Sequence, residues 1–292
     1  MRSRRERQPR PSTAAHAARD PIDEVLEQLL AEVTMPEPSA VYPTAGGRCA
    51  IVTHGHTGIA RAVALEFARQ GMHIAFTCPL DPGGRDDEEA RRTAIELGRL
   101  EVKVYWRPCD ARDERDAASF VNEAVEALGG MHVLVNGVAG PAALGDSGDA
   151  DRDRALRTAN RTGAIHMIRA SAPLFRKQRY GRIVTVIPAY DSRSKQGGHV
   201  PKMETGLASL TRVVALDLGP YNITVNAVAP ACVRTGTQSP DSTDPDDRVS
   251  EANALRRIGD ARDVANVVVF LCSDLARHVT GAIIPVDGGR HL

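Results

Sequence analysis

Thr53-His54-Gly55-His56-Thr57-Gly58-Ile59-Ala60 is the stretch on which the fold turns. Before it lies a short apolar run, Cys49–Thr53, and after it a helix-period pattern over Ile59–Gln70. A strand that passes through a glycine-bearing turn into a helix serves three needs at once. The turn is tight, the backbone can come close to a phosphate, and the amides of the helix N-terminus face an anion. His54 complicates this reading, because a residue with a Cβ must take a turn suited to glycine, and Gly55 is expected to absorb part of it. His54 and His56 also have an alternative reading as phosphate donors or metal ligands. No carboxylate or cysteine cluster lies nearby in the sequence, so no metal is expected.

Outward from the loop, apolar runs and helical patterns alternate. Strands are expected near Cys49–Thr53, His73–Thr77, Val102–Trp106, Val133–Asn136, Arg182–Ile187, Thr224–Ala227 and Ala282–Val286. Helices are expected over Ile59–Gln70, Glu89–Leu97, Ala117–Leu128, Arg154–Arg176, Met203–Leu218 and Asp263–Ser273. Strands that alternate with helices of this length specify an α/β fold, a Rossmann-type doubly wound parallel sheet of about seven strands in a single domain, residues 48–292. Ligands of such sheets lie beyond the carboxyl ends of the strands, at the switch in strand order.

Residues 1–47 read differently. Met1–Arg19 is rich in Arg, Pro and Ala and too poor in large apolar side chains to offset ordering entropy, so a disordered tail is expected. Asp20 suits an N-cap and Pro21 the first helical position; Ile22, Val25, Leu26, Leu29, Leu30 and Val33 then form one apolar stripe. Met35–Gly47 reads as linker, which leaves an N-terminal helical extension with a face to bury on its own body or on another subunit. The formal net charge of zero gives no reason to expect nucleic acid or an anionic membrane as partner. Five scattered cysteines without a C-x-x-C pair suit free thiols in a reducing compartment. The absence of a membrane-length apolar run and of a secretory h-region adds the expectation of a cytoplasmic protein.

The loop joins a longer series of matches. Ala64-Leu65-Glu66-Phe67-Ala68, Asp110, Val133-Leu134-Val135-Asn136, Asn160, Gly181-Arg182-Ile183-Val184, Val225-Asn226-Ala227-Val228-Ala229-Pro230 and Val286-Asp287-Gly288-Gly289 follow in order. From Arg48 to Leu292 the chain thereby resembles the short-chain dehydrogenase/reductase family, most of all its 3-oxoacyl-carrier-protein reductase branch. The resemblance implies a cofactor site at Gly55, Gly58, Ile59, Asp110, Asn136, Val233 and Thr235. It also implies oligomers built through the fourth and fifth crossover helices and the last strand. Ala164, Ile165, Ile168, Leu207, Leu210, Val214 and Leu218 are expected on or beside those faces.

The departures from the family pattern bear on activity. His54 stands where the loop's first glycine belongs, and Pro79 ends the second strand where an acid or an arginine would read the ribose; Arg85 is the nearest replacement. The family's N-N-A-G reads Asn136-Gly137-Val138-Ala139. Counting back from Asn226 along what the family builds as one uninterrupted helix puts Glu204 at the lysine position and Val200 at the tyrosine position. Val186-Ile187-Pro188 stands where the serine belongs, so of the four catalytic positions only Asn160 is kept. Valine has no proton to give a carbonyl oxygen, and a carboxylate at the lysine position repels a phenolate. The expected protein is an accessory or non-catalytic subunit, in a homotetramer or with an intact paralogue. The alternatives are a repurposed non-redox enzyme and an atypical NAD(P)H-dependent oxidoreductase acting on a carbonyl. For both, Asn160, His199 and Glu204 are the candidate catalytic residues, and the ligand would be a small or acyl-carrier-bound molecule. NAD or NADP is expected to bind weakly, with no cofactor an equal expectation.

Overall fold

The computed structural model describes residues 46–81, 83–138, 150–187, 189–193, 199–203, 205–231, 233–234 and 253–292, with backbone alone for 150, 152–153, 189–193, 199–203 and 205. All fall within the second of the two units, Met1–Val41 and Tyr42–Leu292, into which the chain divides. The N-terminal tail, helix and linker expected over 1–45 lie outside the described residues.

The elements follow in order as β1 (Cys49–Val52), α1 (Gly58–Arg69), β2 (His73–Cys78), α2 (Arg85–Gly98), β3 (Val104–Pro108), α3 (Glu114–Leu128), β4 (Val133–Asn136), α4 (Ala150–Gln178) and β5 (Gly181–Val186). Then come β6 (Ala189–Arg193), β7 (His199–Met203), α5 (Thr205–Leu218), β8 (Ile223–Pro230), β9 (Val233–Arg234), β10 (Gly259–Asp260), α6 (Ala261–Cys272) and β11 (Ile283–Val286). Seven strands form one sheet in the order β11-β8-β5-β4-β1-β2-β3, every pair parallel. The order reverses between β1 and its neighbours β2 and β4, which sets the loop after β1 at the switch point.

Alternation along the strands divides the core. Ala50, Val52, Ile74 and Phe76 face one side with Val63, Phe67 and Val268 of the helices, while Cys49, Ile51, Leu134, Ile183 and Val225 face the other with Phe120, Met167 and Phe175. Burial on both faces is why β1 is a continuous apolar run and β4, β5 and β8 are mainly apolar in the sequence. At the opposite end of the sheet from the switch-point loop, Arg182 is 3% exposed and pairs with Asp274 at 3.2 Å. Arg48 joins the same carboxylate, and both guanidinium groups lie over the Tyr180 ring.

Most expected elements are present, and the differences have local causes. The helix expected to start at Glu89 begins at Arg85, because the Asp81 carboxylate accepts from the Gly83, Arg85 and Asp86 amides and caps the turn ahead of it. The third strand lies two residues further on than expected. The helix expected over Met203–Leu218 starts only at Thr205, preceded by the hairpin of β6 and β7, in which Ser192 opposes Val200 and Tyr190 opposes Lys202. That hairpin, like the two-residue ladder of β9 with β10, was not expected from the sequence.

Candidate functional site

Beyond the carboxyl ends of β1 to β4 lies a cavity of about 240 Å³, lined among others by Thr53 and His54 of the loop, Pro79 after β2, Asp110 after β3, Gly137 after β4 and Asn160 of α4. Two glycines bring these strand ends together. A Cβ at Gly55 would stand 2.6 Å from that of Phe76, and one at Gly137 would stand 2.3 Å from the Thr53 carbonyl oxygen. Thr53 closes this join, its hydroxyl accepting from the Gly137 amide at 2.9 Å.

Gly55 does not absorb the turn, contrary to expectation. His54 itself takes the left-handed backbone, at φ 55°, and Gly58 does so at φ 60°. The His54 amide donates to the Thr77 hydroxyl at 2.9 Å, and this bond helps hold the strained residue. Its part-buried ring lines the cavity; burial, with a smaller push from His56, pulls its pKa down to about 4, so the ring is neutral near pH 7. α1 begins at Gly58 with no capping bond from the Thr57 side chain, which leaves its first-turn amides without that partner.

Asp110 is at the cavity as expected, but its carboxylate is gripped by the Arg112 guanidinium through bonds of 2.8 and 2.7 Å. That grip lowers the Asp110 pKa. Arg112 also lines the cavity, and the sequence reading missed it; the D-x-R spacing was its only signal. Asn136 is buried at the end of β4 and donates to the Thr185 hydroxyl at 3.3 Å, so its side chain ties β4 to β5. Ile59 is buried in the core and Val233 in β9, neither lining the cavity, and Arg85 does not line it either. Asn160 is 8% exposed and faces the cavity from α4.

Of the remaining candidates, His199 is described by its backbone alone. His199 lies in β7 with its backbone opposite Arg193, and Val200 lies beside it in the same strand. The uninterrupted helix assumed in counting back to these positions is therefore corrected, since it begins after them. Glu204, Thr235 and Pro188 lie outside the described residues. The expectation that no carboxylate stands near the loop histidines also needs correction, for the fold brings Asp86 of α2 to 3.4 Å from His56. The acidic run Asp86-Asp87-Glu88-Glu89 was the available signal.

A seven-stranded parallel sheet with a glycine-bearing loop at its switch point defines an α/β nucleotide-binding type of fold. Residues 54–291 match the family model described as enoyl-(acyl carrier protein) reductase. L-rhamnose 1-dehydrogenase (NAD(P)(+)) of Azotobacter vinelandii is 36% identical, over 82% of this chain and 94% of that one. A 3-oxoacyl-[acyl-carrier-protein] reductase of Staphylococcus epidermidis is 29% identical, over 84% and 99%. Among solved structures, carveol dehydrogenase from Mycobacterium avium in complex with NAD is 26% identical with a TM-score of 0.71, covering 84% of this chain and 98% of that one. The chain belongs to the short-chain dehydrogenase/reductase family.

Proposed function

We propose that this protein is a non-catalytic or accessory subunit of a short-chain dehydrogenase/reductase assembly, keeping the oxidoreductase fold without the usual hydride-transfer machinery. The observation that carries this reading is the backbone ahead of α5. A tyrosine and a lysine four residues apart stand about 5–6 Å apart in a helix but about 13 Å apart along a strand, and here Val200 lies in an antiparallel strand that runs to Met203, while α5 begins at Thr205. The residues at the two positions, Val200 and Glu204, supply neither a phenol nor an ammonium.

The cavity supports a weak dinucleotide site. The uncapped start of α1 suits a phosphate, but the adenosine end does not fit: the His54 ring faces the cavity and Asp110 is already paired with Arg112. The volume of about 240 Å³ is below the roughly 300–1,000 Å³ typical of pockets for drug-sized ligands. Titration calorimetry with NADH and NADPH is expected to give dissociation constants of high micromolar or weaker, on the order of −5 kcal/mol of binding free energy. Low-micromolar affinity for either would overturn this part of the reading.

A second reading, non-redox chemistry on a small or acyl-carrier-bound ligand, draws on one observation. A neutral histidine, a carboxylate–guanidinium pair and Asn160 all line the same cavity. A substrate turned over without change in NAD(P)H absorbance would favour it.

A further inference from the structure

Outside the cavity, the loop's second histidine meets two acids. His56 Nε2 lies 3.4 Å from Asp86 Oδ1, and a ligand atom of each of His56, Asp86 and Glu89 lies within 4.8 Å of the other two. We propose that these three side chains bind a divalent transition-metal ion that fastens the β1–α1 loop to the first turn of α2.

The cluster differs from an ordinary acidic helix start. Asp86 and Glu89 are three residues apart on one face of α2, where like charges repel. The residue they converge on is a histidine held inside the fold. His56 is 3% exposed, and its Nδ1 is buried without a hydrogen-bond partner. A buried imidazole whose Nε2 faces two carboxylates is a ligand set for a cation.

The ligands are held in place before any ion arrives. The Thr93 hydroxyl, 0% exposed, donates to the His56 carbonyl oxygen at 3.0 Å, and Arg61 Nε donates to Thr93 at 3.1 Å. Asp81 fixes the first turn of α2 from the other side. One nitrogen and two oxygens suit zinc or manganese, while calcium takes about 6–8 oxygens. On a tetrahedral ion with bonds of about 2.0–2.2 Å the ligand atoms stand roughly 3.4 Å apart, within reach of small side-chain rotations.

The test is a titration of the full-length, chelator-treated protein with zinc(II), read by competition with a chromogenic indicator, and with cobalt(II), read by visible absorption. One equivalent is expected to bind tightly, and the cobalt spectrum is expected to show ligand-field bands without thiolate charge transfer, which separates this site from the cysteines. Asp86→Asn and Glu89→Gln, both at part-exposed positions, should stay folded by circular dichroism and weaken binding at least tenfold; His56→Asn should do the same. Absence of one-to-one binding, thiolate charge transfer in the bound cobalt, or full affinity in both folded carboxylate variants would overturn the proposal.

Discussion

His54 holds a left-handed backbone that few non-glycine residues adopt, and it does so at the mouth of the cavity. Its ring also makes the fold sensitive to acid. The ordinary histidine value of 6.5 falls to about 4 in the folded protein, so between these values the unfolded chain binds a proton that the folded chain refuses. Stability is then complete above about pH 6.5 and is lost as pH falls toward 4. Urea unfolding should show a loss on the order of 1–2 kcal/mol from His54 between pH 7 and 5. His54→Asn, which tolerates the left-handed region, should make the pH dependence shallower. An unchanged slope would show that the ring is not a source of the acid sensitivity. His56 is displaced in the same direction by burial, so some slope should remain.

The elements at the switch point depend on two close approaches between backbones. A methyl at Gly137 would run into the Thr53 carbonyl oxygen at 2.3 Å and the Ala60 side chain at 2.9 Å. Gly137→Ala should therefore cost about 3 kcal/mol in equilibrium denaturation, at the upper end of overpacking effects; a cost below about 1 kcal/mol would mean that β1 and β4 can separate freely. This packing explains what the sequence revealed and what it hid. The central strands of the sheet were legible because burial on both faces favours mainly apolar runs such as Cys49–Val52. Gly55 and Gly58 were legible because the loop joins a strand to a helix directly. The β6–β7 hairpin was not, since Ala189–Arg193 and His199–Met203 carry no alternating apolar face and family register argued for helix there. Arg112 and the pairing of His56 with Asp86 were hidden for another reason. Each joins separate segments or a two-residue spacing that no periodicity marks.

At the scale of the whole molecule, the faces expected to drive assembly are mostly turned inward. Ala164, Ile168, Leu207 and Leu218 are buried in the chain's own core, and Leu210 and Val214 pack against it. What α5 presents to solvent instead is Val213, 64% exposed, and Leu216, 81% exposed. Apolar side chains so displayed on one helix suit a subunit contact. Light scattering is expected to find an oligomer, with Val213→Glu plus Leu216→Glu shifting it toward monomer; a monodisperse wild-type monomer, alone and mixed with an intact family member, would rule the assembly out. No helix among the described residues is long and apolar enough to cross a membrane. Steady-state oxidation of NAD(P)H with acetoacetyl thioesters and simple ketones tests the loss of hydride transfer most directly. A rate equal to background is expected for the wild type, and no full recovery in Val200→Tyr plus Glu204→Lys. Wild-type turnover above background that Asn160→Ala abolishes would contradict it.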